Sequence, residues 1–268
     1  MNDFLKIIAG VTLSVGIVGL ANANTVYSSY TGSQQGFTVR DANTLKQDSF
    51  CGTGINANGI SVDSSSNVYL AAGNHLVKYS TNCKLLKDMT FPDSTINYTD
   101  VAVNGNKVYA SYTGSQQGFT IRDANTLDQS SYCGTGINAN GISVDSSGNV
   151  YLAAGNHLKK YSANCKLLKD MAFPDSTINY TDVVVNGNNV YASYTGSQQG
   201  FTIRDANTLD QSSYCGTGIN ANGISVDSSS NVYLAAGNHL IKYSANCKLL
   251  KDMAFPDSTI NYTGIATK

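Results

Sequence analysis

The sequence contains no glutamate and no tryptophan; all 18 of its acidic residues are aspartate. Long helix-favouring side chains are correspondingly scarce, and the abundant Tyr, Val, Thr, Ser, Asn and Gly suit strands and turns instead. Only 13% of residues are charged, the formal net charge is −1, and no run of Lys and Arg occurs. Nothing is available to neutralise a phosphate backbone, which excludes nucleic acid as a partner. Beyond residue 20 there is no apolar run long enough to span a bilayer.

The one long apolar run, Ile7 to Leu20, follows Lys6 and ends in Ala21-Asn22-Ala23, a small-x-small pattern. It reads as a signal peptide over residues 1–23, leaving residues 24–268 as the mature domain, secreted or periplasmic.

The rest of the chain repeats itself. The string YTGSQQGFT recurs at Tyr30, Tyr112 and Tyr194, a period of 82 residues. A fainter period lies inside it, because the dipeptide Val-Tyr falls at Val26, Val68, Val108, Val150, Val190 and Val232. Six units of about 41 residues, each rich in short alternating runs, point to a propeller or solenoid. One unit reads as four strands, Gly141–Asp145, Asn149–Ala153, Leu158–Ser162 and Leu167–Phe173; its neighbour reads as Thr181–Val185, Val190–Tyr194, Phe201–Asp205 and Ser212–Gly216. Four antiparallel strands per unit make a propeller blade. Val26 opens the text of a second strand, whereas Tyr262–Lys268 matches the first-strand text at Tyr98. The two are expected to share one blade, closing an all-β ring of six and leaving no open edge.

The string GISVDSSGNVYLAAGNHLKKYS resembles the NHL repeat, with its Gly, its apolar-x-apolar-Asp strand, its Gly-Asn turn and its Tyr-containing strand. The likeness is close in the units beginning at Gly59, Gly141 and Gly223 and weaker in the alternate ones. It implies a six-bladed β-propeller and no single activity.

Six cysteines, at 51, 83, 133, 165, 215 and 247, fall once per blade. Export and an even count favour disulfides. Symmetry leaves two sets open: Cys51–Cys83, Cys133–Cys165 and Cys215–Cys247, preferred for their shorter loops, or the shifted set in which Cys247 returns to Cys51. Unpaired thiols on outer strands are the alternative. His75, His157 and His239, one in each GNHL string, are expected on loops too far apart to share an ion.

Loops feeding the innermost strands converge at the mouth of a propeller channel. They carry Asn58, Asn140 and Asn222, the tyrosines Tyr98, Tyr180 and Tyr262, and two carboxylates, Asp100 and Asp182, with Gly264 in the third copy. Such a ring could hold a small polar ligand, a glycan or a calcium ion; alternatively the Asn and Asp side chains satisfy turn backbones. Asn97, Asn179 and Asn261 begin Asn-Tyr-Thr sequons.

The sequence favours a monomeric binding module for a small polar ligand, glycan or protein, with no obligatory cofactor and calcium as a possible ion. A calcium-dependent lactonase or esterase-like hydrolase is the enzymatic alternative. The lack of Glu and the near-identical copies, which resist the divergence an acid and a base need, argue against it. A structural array without a specific ligand is the third reading.

Overall fold

A computed structural model describes residues 25–268; the segment read as a signal peptide lies outside them. The described residues form 24 strands and no helix, arranged as six four-stranded antiparallel sheets. Blade one holds β1 (Thr25–Thr31), β2 (Gly36–Asp41) and β3 (Gln47–Gly52). Blade two runs through β4 (Gly59–Val62), β5 (Val68–Ala72), β6 (His75–Tyr79) and β7 (Leu85–Thr90). Blade three is β8 (Asn97–Asn104), β9 (Lys107–Thr113), β10 (Gly118–Asp123) and β11 (Gln129–Gly134); blade four is β12 (Gly141–Val144), β13 (Val150–Ala154), β14 (His157–Tyr161) and β15 (Leu167–Ala172). Blade five comprises β16 (Asn179–Asn186), β17 (Asn189–Thr195), β18 (Gly200–Asp205) and β19 (Gln211–Gly216). Blade six comprises β20 (Gly223–Val226), β21 (Val232–Ala236), β22 (His239–Tyr243) and β23 (Leu249–Ala254); β24 (Asn261–Thr267) returns to blade one.

The middle strands of a blade are buried on both faces, because each face packs on the next blade. All five residues of β13 are buried, and so are all five of β5 and of β21. That explains why the second strands read as unbroken Val-Tyr-Leu-Ala-Ala rather than as polar and apolar in alternation. The core is therefore a set of inter-blade wedges: Tyr69, Ala71 and Leu76 of blade two interlock with Tyr98, Val101 and Tyr112 of blade three.

Tight Asp-led turns connect the first and second strands of blades two, four and six. Asp145 Oδ1 accepts the N–H groups of Ser147 and Asn149 at 2.9 and 2.8 Å, and Gly148 supplies the left-handed φ of 80°. Ser66 and Ser230 hold the same position in the other copies, each at φ 62°.

The ring closes as the strand text implies. β24 pairs antiparallel with β1, from Val26 opposite Thr267 to Thr31 opposite Asn261, with one bulge near Tyr30. Three further hydrogen bonds tie the seam. Arg40 donates to the Tyr262 hydroxyl at 2.9 Å, and Lys242 and Tyr233 of blade six both donate to the Ala42 carbonyl, at 3.0 and 3.1 Å.

Disulfides join Cys51 to Cys83, Cys133 to Cys165 and Cys215 to Cys247, each with Cα atoms 5.4 Å apart. Every bridge staples the outer strand of one blade to the turn after the third strand of the next. Disulfides of this kind persist in oxidising compartments. Among the described residues no helix is long and apolar enough to cross a membrane.

Candidate functional site

Six innermost strands, β4, β8, β12, β16, β20 and β24, wall a central channel of about 250 Å³. Its lining is mostly Val, Ile and Ala, interrupted by Ser61, Ser143, Ser225, Thr267, Asp100 and Asp182. These two are the only acidic side chains in that wall.

The residues of the mouth sort into three groups. Asn58, Asn140 and Asn222 each use their side-chain amide to bond the carbonyl of Tyr98, Tyr180 or Tyr262 on the next inner strand, at 2.7, 2.7 and 2.8 Å. They stitch inner strands together around the ring. The tyrosine rings do not line the channel: Tyr98, Tyr180 and Tyr262 are fully buried between blades, and each hydroxyl accepts from Arg122, Arg204 or Arg40 at 3.0, 3.1 and 2.9 Å. Only Asp100 and Asp182 reach the lumen.

A β-bulge at the start of each Asp-bearing inner strand turns the carboxylate inward, since Tyr98 pairs with Tyr112 while Asp100 pairs with Ser111. Asp100 Oδ2 accepts the Ile142 N–H at 2.9 Å; Asp182 accepts from Ile224 and Val183 at 2.8 and 2.7 Å. The fit is close enough to require glycine beside each carboxylate. A Cβ on Gly59 would lie 2.1 Å from Asp100 Oδ1, and one on Gly141 would lie 2.4 Å from Asp182 Oδ1. In the third copy Gly264 stands where the Asp would be, and its absent side chain would approach the Ile60 nitrogen at 3.1 Å. The Ile60 N–H thus occupies the place of the Ile142 and Ile224 donors but faces no carboxylate.

Asp100 and Asp182 face each other across the lumen closely enough to titrate as a pair. Burial is the largest influence on both and disfavours the charged forms. It raises Asp100 to about 7, with the Ile142 and Val101 N–H groups and the neighbouring Asp182 opposing it. Asp182 rises well above the ordinary carboxylate range, because the Asp100 charge adds to its desolvation. The two carboxyls therefore hold a proton between them well above the pH at which an ordinary aspartate has lost its own. Although the two are copies in sequence, the glycine at the third position makes their surroundings unequal.

A carboxyl that holds its proton more tightly in the folded than in the unfolded chain stabilises the fold at low pH. That contribution is complete below the ordinary Asp value of about 4 and is lost as pH rises through the raised folded value. Surface aspartates such as Asp41, Asp123 and Asp205 are held low by backbone N–H donors, so their linkage acts below that window. Urea melts are thus expected to show stability falling from about pH 4 to about pH 8, and a double Asp100→Ala/Asp182→Ala variant is expected to flatten that fall.

His75, His157 and His239 sit on three separate rims, each with Nδ1 within 2.9 Å of an aspartate of the same blade. Among the described residues no three or more His, Cys, Asp or Glu side chains form a group able to hold a metal ion. The buried cations escaped the sequence reading. Arg40, Arg122 and Arg204 are 3 to 5% exposed, and Lys78, Lys160 and Lys242 are 6% exposed.

No protein-family model matches the chain, and no curated protein matches it. Solved structures do resemble it in fold. A protein of unknown function from Bacteroides caccae superposes with a TM-score of 0.71 at 9% identity, covering 91% of this chain and 98% of that one. Hydrazine synthase of Kuenenia stuttgartiensis superposes with a TM-score of 0.61 at 11% identity, covering 81% of this chain and 73% of that one. At such identities the likeness is one of fold alone, and it agrees with the six-bladed propeller that the strand pairing shows.

Proposed function

We propose that the protein is an exported, NHL-like binding propeller that takes a small polar ligand into its channel on Asp100 and Asp182. Export is supported by the apolar N-terminal run with its Ala21-Asn22-Ala23 end and by three disulfides. The observation that carries the ligand reading is the Asp–Asp–Gly ring. Two positions present carboxyls that take the Ile142 and Ile224 N–H groups, and the third presents Gly264, which leaves the Ile60 N–H without that partner, so the lumen combines acceptors with a donor. A hydroxyl group satisfies both, donating to Asp100 and accepting from the Ile60 N–H. Above the Asp100 transition the pair carries one negative charge, which adds attraction for an amino alcohol over a plain polyol.

Calcium fits this donor set poorly. It takes six to eight oxygens, whereas the lumen supplies two carboxyl groups that share a proton and already accept backbone N–H bonds.

Titration of glycerol, erythritol and ethanolamine into isotopically labelled protein tests the reading. Saturable shifts are expected at the Ile60, Ile142 and Ile224 amides, with ethanolamine gaining on glycerol as pH rises through about 7, and Asp182→Ala is expected to abolish them. Amides that stay put with all three compounds would contradict it. Calcium chloride in a parallel titration is expected to leave the same amides unmoved.

A second reading rests on the same pair, since two adjacent carboxyls that share a proton are one apparatus of acid–base hydrolysis. Turnover of a lactone and ester panel, lost in both Asp100→Ala and Asp182→Ala, would favour it over simple binding.

A further inference from the structure

A second cavity, of about 470 Å³, opens on the rim between blades five and six. Its polar wall is Gln199, Asn220, His239 and Asp252, and its apolar floor includes Ile219 and Ile241. His239 Nδ1 lies 2.7 Å from Asp252 Oδ1, which fixes the ring and leaves Nε2 as its available nitrogen. The side-chain amides of Gln199 and Asn220 bond to no other side chain among the described residues. No Lys or Arg lines the cavity, so a phosphate or carboxylate would find no counter-charge. The one carboxylate is already paired with the histidine, so a cation would find too few ligands.

Amides, an imidazole nitrogen and a carboxylate around an aliphatic floor match a molecule with one C–H face and a hydroxyl edge. We propose that this groove is a carbohydrate-binding site, distinct from the channel, and that the chain carries two such sites rather than three.

The count follows from one substitution among the repeats. The counterpart at His75 keeps every kind of residue, with Gln35, Asn56 and Asp88 at the repeat positions of Gln199, Asn220 and Asp252 and Val77 at that of Ile241, and His75 Nδ1 lies 2.9 Å from Asp88 Oδ1. The counterpart at His157 has Lys159 in place of Val77 and Ile241. The Lys159 Nζ lies 2.8 Å from Asp170 Oδ2 while His157 holds Oδ1 at 2.7 Å. Both oxygens of that carboxylate are engaged, and a charged chain replaces the aliphatic floor.

Saturation-transfer NMR and calorimetry with the methyl glycosides of glucose, galactose, mannose and N-acetylglucosamine, followed by a glycan array, test this. At least one sugar is expected to bind with two equivalents per chain. The double variant His75→Ala/His239→Ala should lose binding, His157→Ala should not, and Lys159→Ile should raise the count to three. The three histidine side chains are exposed, where substitution costs the fold little, and Lys159→Ile installs the residue that its repeat counterpart Ile241 already carries. The proposal is overturned if no sugar binds in either format, if binding survives the double variant, or if Lys159→Ile leaves the count unchanged.

Discussion

A chain ending at Asn261 is expected to lose its folded monomeric state rather than a tail. The deleted residues supply nearly all of β24, the innermost strand of blade one. Tyr262 is fully buried and Ile265 is 5% exposed, and both belong to the wedge between blades six and one. Removing them strips the Arg40 guanidinium of its tyrosine acceptor, leaves the inward edge of β1 without a partner, and opens the channel wall. A buried cation, an unpaired strand edge and a lost aromatic each cost on the order of 1 to 5 kcal/mol. Their sum is comparable to the total stability of a typical domain, about 5 to 15 kcal/mol. Size-exclusion chromatography should show self-association through the open edge, and no cooperative melt is expected near that of the longer protein. A truncated chain that stays monomeric and melts within about two degrees of the parent would reopen the closure.

Arg122→Met is expected to destabilise by about 3 to 5 kcal/mol, with no change in the channel or the rim. The guanidinium is buried and has no carboxylate partner among the described residues. It donates to the Thr120 hydroxyl at 3.2 Å, the Leu127 carbonyl at 2.9 Å, the Tyr98 hydroxyl at 3.0 Å and the Gln129 side chain at 3.1 Å. Methionine fills much of the volume but leaves the Leu127 carbonyl and the Tyr98 hydroxyl buried without a donor, and unmade bonds of that kind cost more than their formation gains. Thermal melts should fall by about 10 °C. Lys87→Met, on the exposed strand β7, is the control and should change stability by less than about 0.5 kcal/mol.

The architecture was largely legible because repetition is a property of sequence. The 82-residue period, the six Val-Tyr strands and the first-strand text at Tyr262 yield the six blades and their closure without any contact being known. The preferred cysteine pairing was legible for the same reason, since equal spacing in every repeat left only two symmetric sets. Orientation was harder. A strand pattern tells which residues share a face, but in a propeller both faces of a blade are covered. Arg122 therefore alternates with Phe119 and Ile121 as a solvent-facing residue would, and is buried all the same. Tyr98 and Asp100 are two residues apart and belong to one loop-to-strand string; the intervening bulge sends the tyrosine into the wedge and the carboxylate into the lumen. Leu45, Leu127 and Leu209 adopt left-handed φ values of 57°, 60° and 62° while fully buried. Packing holds them there, and no glycine marks the turn.

The carboxyl pair is the chemical centre of the account, and its proton can be observed directly. Carbon-13 NMR of protein labelled at the aspartate side-chain carboxyls, titrated from about pH 3 to pH 10, resolves each group, and the Asp100→Ala and Asp182→Ala variants assign the two in the channel. The account predicts Asp100 titrating at about 7, Asp182 raised well above the ordinary carboxylate range, and each curve altered when the other carboxyl is removed. If every aspartate titrates near the ordinary value of about 4, the pair does not share a proton and the ligand site built on it is contradicted.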